Sequence, residues 1–159
     1  MGKWLKITKA PRYVPNEFKP KVVLADIDGT LALTTTRSHY DYSEAVLTDK
    51  ARWDVMQLVE AFANANDAEI ICVSGREDIC KEHTRQWLND KGFDYSALHM
   101  RKAGDSRSDC IIKEEIFWQE IEPYYNVIAA FDDRPKIVRM LKFLGIPLVV
   151  DVSTTVKDF

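Results

Sequence analysis

Lys21-Val22-Val23-Leu24-Ala25-Asp26-Ile27-Asp28-Gly29-Thr30 is the stretch on which the reading of the chain turns. Up to Asp26 it is a β-branched, apolar run without polar alternation, the mark of a strand covered on both faces. Two acids two residues apart, then Gly and Thr, break the run where a turn should leave the strand. Residues 68–74 (AEIICVS), 126–131 (NVIAAF) and 146–152 (IPLVVDV) share the apolar character, and 95–100 offers a further strand. Helical patterns lie between them. One is capped by Thr48 or Asp49 and runs through 64, with Trp53, Met56, Leu58, Val59 and Phe62 as its apolar stripe. A second spans about 78–91 and stops at Gly92, and a third spans 109–121 ahead of Pro123. A fourth spans 135–144, with Pro135 at its start and Gly145 past its end. Strands alternating with helices of this length require crossover connections. The expected fold is therefore a doubly wound α/β sandwich on a mostly parallel sheet. Residues 29–47 hold no long helix and are read as a flap over the strand ends.

The 159 residues carry a net charge of −3, so no global basic field gathers polyanions, and any anionic substrate must meet a local cluster of Arg and Lys. One core is expected at this length, with residues 1–20 an irregular basic arm (Lys3, Lys6, Lys9, Arg12, Lys19; Pro11, Pro15, Pro20) and residues 21–159 the domain proper. Cys72, Cys80 and Cys110 lack metal-ligand spacing and read as reduced thiols of a cytoplasmic protein. No signal segment or membrane-length apolar run is present in the sequence, so no membrane partner is expected.

Ligands of open parallel sheets sit beyond the carboxyl ends of the strands. There the sequence places Asp26-Ile27-Asp28, Ser74-Gly75-Arg76 and Asp132-Asp133-Arg134, with Lys113 in the first turns of the third helix. Taken singly, each element has a plain explanation: a solvated turn, a helix cap, a lysine facing water. Together, and each at the same end of its strand, they make a site. Clustered carboxylates need a counter-charge, and a donor set of oxygens alone favours magnesium.

In this order the motifs DIDGT, a strand-end Ser, a helical Lys and DD resemble the haloacid dehalogenase (HAD) superfamily of phosphotransferases. The resemblance implies a Rossmann-like HAD-type domain in which Asp26 is the nucleophile and forms an aspartyl-phosphate. Asp28 would be the acid/base, and Ser74 and Lys113 would hold the phosphoryl group. Magnesium would be bound by Asp26, Asp28 (through its backbone carbonyl), Asp132 and Asp133. Asp28 also separates phosphotransferases of this superfamily from its dehalogenases. DIDGTLA, VSGRE, GDSRSD, IIKEEIFW and FDDR, with Arg37, Tyr40-Asp41 and a terminal Asp-Phe, further resemble the 3′-phosphatase domain of phage polynucleotide kinase–phosphatases. That closer likeness implies a magnesium-dependent 3′-phosphatase acting on DNA or RNA ends in repair. Its substrate-binding set would be Arg37, Ser74, Gly75, Arg76, Asp109 and Lys113, with Arg76 clamping phosphate bidentately. Asp109 would orient Lys113 or an arginine.

Several alternatives stand beside this reading. Arg37 in a loop is either a site residue or solvated, and Asp109 either a site residue or a helix cap. Phe117-Trp118 reads as core packing rather than a base platform. Arg101, Lys102 and Arg107 suit a sugar-phosphate backbone or a solvated surface. No GxxxxGK[ST] occurs, so kinase activity is not expected, and a separate kinase or ligase component is the implied partner. Rival functions are a mononucleotide phosphatase of the same superfamily and a non-enzymatic phospho-acceptor domain. The short stretch between Asp28 and Thr48 has no room for a bulky cap, which favours a large substrate over a small one.

Overall fold

A computed structural model describes residues 12–154. Lys3, Lys6 and Lys9 of the basic arm and the terminal Asp158-Phe159 lie outside the described residues. Seven strands and four α-helices follow in chain order: β1 (Lys21–Ala25), β2 (Ala32–Leu33), β3 (Lys50–Ala51), α1 (Trp53–Ala65), β4 (Glu69–Glu77), α2 (Lys81–Asp90), β5 (Ala97–Arg101), α3 (Asp109–Ile116), β6 (Asn126–Asp132), α4 (Pro135–Leu144) and β7 (Val149–Asp151). Five strands form one parallel sheet in the order β5-β4-β1-β6-β7. The chain winds outward from β1 on one side, then returns to its other side, so the order reverses beside β1. The fold is the doubly wound α/β sandwich expected. At such a reversal a crevice opens between the loops that leave neighbouring strands.

Alternation along β1 builds the two cores. Val22 and Leu24 face α3 and α4, packing with Cys110, Phe117, Ile137, Met140 and Leu141. Val23 and Ala25, with Ile27 beyond, face α1 and α2, packing with Val55, Met56, Val59, Trp87 and Leu88. Because both faces are covered, the central strands are apolar along their middles and turn polar towards their carboxyl ends, where Asp26, Ser74 and Asp132 are found.

Three local features depart from expectation. α1 starts at Trp53 with Arg52 before it, so neither Thr48 nor Asp49 caps it. Residues 44–48 instead form a 3-10 turn capped by Ser43, and β3 intervenes. The buried stripe of α1 is Val55, Met56, Val59 and Ala63, while Trp53 and Leu58 are exposed. The third helix is α-helical to Ile116 and closes with a wider π turn over Phe117–Ile121. The flap carries a small antiparallel pair, β2 with β3, and no large cap covers the sheet edge among the described residues. No helix there is long and apolar enough to cross a membrane.

Residues 12–20 have no regular structure, yet Tyr13 is buried against the ring of Phe117, 5.2 Å between centroids at a right angle. Its hydroxyl accepts the Val127 N–H at 2.7 Å and donates to Asn126 Oδ1 at 3.1 Å. That bond satisfies a buried strand N–H that a phenyl ring could not. Tyr13→Phe is therefore expected to destabilise the fold by about 1–3 kcal/mol in urea unfolding. An unchanged midpoint would show that the start of the described chain is not part of the cooperative unit.

Candidate active site

Asp26 follows β1, Asp132 ends β6, and both are buried. Between them lies Lys113, which α3 brings from below; its Nζ donates to Asp26 Oδ1 and to Asp132 Oδ2, each at 2.7 Å. Burial alone would lower the Lys113 pKa, but the charges of Asp132 and Asp26 outweigh it and raise it above the usual range. Burial raises Asp26, and Lys113 only partly offsets the effect. Asp133 completes the group: one carboxylate oxygen each from Asp26, Asp132 and Asp133 lie within 4.8 Å of one another. The Thr30 hydroxyl is 3.3 Å from both Asp26 Oδ2 and Asp133 Oδ1, and its single proton serves one at a time. Gly29 has φ +84°, and a Cβ there would collide with the Asp133 carboxylate, so the turn after Asp28 admits only glycine.

This set suits a divalent cation. Three carboxylates face one ammonium, the donors are all oxygen, and burial penalises the uncompensated charge. Asp28 does not offer its carboxylate to that group. Its Oδ1 accepts from Arg76 Nη2 (2.8 Å) and Arg37 Nη2 (3.1 Å), and its Oδ2 from Arg76 Nε (2.9 Å). Burial would raise the Asp28 pKa, but the Arg76 hydrogen bonds and the charges of Arg76 and Arg37 prevail and hold it low.

Arg76 is where expectation and structure part. Expected to clamp phosphate, it is fully buried, with its guanidinium committed to Asp28, to Asp49 Oδ2 (2.6 Å) and to Thr84 Oγ1 (3.2 Å). Arg37 is neither solvated nor free: it grips Asp49 through two parallel bonds of 2.8 Å and reaches Asp28 with the same Nη2. The two arginines thus clamp the second acid of the DID turn, with Asp49 as the shared anchor. Asp49 was missed, since an acid ahead of an amphipathic helical run reads as a cap. Its backbone carbonyl also accepts the Trp87 indole N–H at 2.8 Å, which locks it to α2.

Ser74 is buried beside this network, its oxygen accepting the Arg76 N–H at 3.1 Å, which leaves its own proton for another acceptor. Asp109 does not touch Lys113 but accepts from both Arg101 and Arg134, fixing two cations at the rim. It packs over Gly75, where a Cβ would lie 2.7 Å from Asp109 Oδ1. Phe117 and Trp118 stack edge-on in the core as expected. A cleft of about 700 Å³ opens above, floored by Asp26 and Asp28 and lined by Tyr42, Gly75, Arg101 and Arg134.

Residues 20–155 match the family model of the polynucleotide kinase PNKP phosphatase domain, a HAD-type family. The chain belongs to that family. It is thus a phosphatase domain. It is 44% identical over 160 residues to a protein of Autographa californica nuclear polyhedrosis virus named for a bifunctional polynucleotide kinase/RNA ligase. That alignment covers 99% of this chain and 23% of the viral protein. Among solved structures the phosphatase domain resembles chains of the Pnkp1/Rnl/Hen1 RNA repair complex and of the Pnkp1/Rnl/Hen1 complex. Both are 33% identical, with TM-scores of 0.80 and 0.82; the matches cover 91% and 92% of this chain, and 47% and 50% of theirs. The domain therefore spans about a quarter of the viral relative and about half of each structural one.

The Asp49 anchor has a measurable consequence. Asp49→Asn keeps the volume but leaves two buried guanidinium groups with Asp28 as their shared carboxylate. A loss of about 3–5 kcal/mol in unfolding free energy is expected, as for removal of one member of a buried ion pair. A variant as stable as wild type would mean that the arginines find other partners.

Proposed function

We propose that this chain is a magnesium-dependent polynucleotide 3′-phosphatase that works through an aspartyl-phosphate on Asp26. The observation that carries the proposal is the pairing of a buried Asp26–Lys113–Asp132 bridge with a separately clamped Asp28 on the floor of an uncapped cleft. A chain end can enter such a cleft, whereas a capped site would admit only small esters. The family match supports phosphatase chemistry on nucleic-acid ends. The names of the viral relative and of the repair complexes favour work beside a kinase or ligase component.

In the first step a carboxylate oxygen of Asp26 attacks phosphorus and the bond from phosphorus to the 3′ oxygen breaks. The electron pair stays on that oxygen, which takes a proton from Asp28 and departs as a 3′-hydroxyl end. In the second step Asp28 removes a proton from water. The water oxygen attacks phosphorus, the bond to Asp26 breaks, and inorganic phosphate leaves with the Asp26 carboxylate restored. The arginine clamp favours the Asp28 carboxylate, the form that the second step needs. An incoming phosphate dianion is a like charge nearby and favours the protonated form, which the first step needs. Asp26, Asp132 and Asp133 would hold Mg²⁺, with the Asp28 carbonyl as a further ligand. The cation would neutralise charge on the transferring group. Lys113 balances the nucleophile and the phosphoryl oxygens, and Ser74 and Gly75 hold one of those oxygens from the cleft floor. Arg37 and Arg76 serve the substrate through Asp28, which they orient.

The test is phosphate release from a 3′-phosphorylated and a 5′-phosphorylated oligonucleotide, with and without magnesium. Release from the 3′ end alone is expected, dependent on magnesium and at least about 1000-fold slower in Asp26→Asn. Hydrolysis of mononucleotides with both oligonucleotides left intact would instead establish the small-molecule phosphatase reading. Stable phosphorylation without turnover would establish the phospho-acceptor reading.

A further inference from the structure

We propose that Tyr40 is a stacking platform for a base at the 3′ end of the substrate, a specificity determinant that rests on the 3′-end reading above. Tyr40 stands on the flap, 86% exposed, and lines the same cleft as Asp26 and Asp28. Exposure alone would say little, since single apolar side chains are common on surfaces. What sets this ring apart is how its backbone is held. Arg37 Nη1 donates to the carbonyls of Ser38 (3.0 Å) and Asp41 (3.1 Å), the two residues that bracket His39-Tyr40. The Asp41 N–H closes the turn onto the Ser38 carbonyl at 3.0 Å. The same guanidinium is bonded to Asp28 and Asp49, so the tip of the flap is tied to the clamped acid on the cleft floor.

A rigid tip of this kind presents a ring at a fixed place relative to the reacting centre. The cleft of about 700 Å³ is far larger than one phosphate needs and is of the size that holds a nucleotide. Arg101, Arg107 and Arg134 also line it. An aromatic face together with cations in one groove is the composition that binds single-stranded ends: stacking takes the base and the cations take the backbone. Tyr42 is less suited, being half-buried and packed against the core.

The experiment compares kcat/KM on two 3′-phosphorylated oligonucleotides, one with a normal terminal base and one abasic at its last position, for wild type, Tyr40→Ala and Tyr40→Phe. Wild type and Tyr40→Phe are expected to prefer the base-bearing end by about 5- to 150-fold, and Tyr40→Ala to lose that preference. With 2-aminopurine as the terminal base, fluorescence quenching on binding should occur with wild type and Tyr40→Phe and be absent with Tyr40→Ala. Equal loss on both ends in Tyr40→Ala, or retained preference and quenching, overturns the platform and leaves the 3′-end reading standing. A wild type that releases phosphate from neither oligonucleotide overturns the 3′-end reading itself.

Discussion

The bridge from Lys113 to Asp26 and Asp132 is the constraint on which the site depends. The three side chains come from α3, the end of β1 and the end of β6, and two neighbouring strands must bring two carboxylates together in a buried place. Like charges so placed repel, and burial makes each of them costlier. One ammonium offsets part of that, and Lys113 is held charged because both partners need it. The bridge therefore ties the helix on one face of the sheet to the crevice at the winding reversal, and it leaves net negative charge of the kind that a divalent cation would offset. Stability and chemistry draw here on the same atoms.

A second network does for Asp28 what the lysine does for Asp26. Arg37 and Arg76 converge on it from the flap and from β4, and Asp49 holds both arginines in place. Two acids only two residues apart are thereby given opposite surroundings. Asp26 sits in a desolvated pocket against an ammonium, and Asp28 in a guanidinium clamp that holds its carboxyl low. These shifts run opposite to the proposed roles, which ask for an ionised Asp26 and a protonated Asp28; a divalent cation beside Asp26 would lower the one, and a phosphate dianion beside Asp28 would raise the other. The flap is not an ornament to this arrangement, since the arginine it contributes is bonded to the acid itself.

Much of this is legible in the sequence. Unbroken apolar runs revealed strands buried on both faces. Because such runs tolerate polar residues only towards their ends, Asp26, Ser74 and Asp132 marked the carboxyl edge of the sheet, over which the cleft opens. What failed has a common cause. Asp49 satisfied a local rule for helix capping, yet its partners are arginines 12 and 27 residues away, a relation that only the tertiary fold creates. Arg76 had the right chemistry for phosphate, but the depth at which β4 places it could not be read from spacing. Trp53 and Leu58 are apolar, but the packing of the helix on the sheet turns the face of Val55, Met56, Val59 and Ala63 inward and leaves both of them exposed, a choice of face that only the tertiary contacts make.

The central claim is that Asp26, held by Lys113, makes a covalent bond to phosphorus. Its most direct test is to quench the reaction on a 3′-phosphorylated oligonucleotide in acid, reduce with borohydride and map the peptides by mass spectrometry. An aspartyl-phosphate becomes homoserine under this treatment, so homoserine at position 26, formed only when substrate and magnesium are both present, is the expected result. An actively turning-over protein with Asp26 unmodified, or with the label on Asp28, Asp132 or Asp133 instead, would contradict the account.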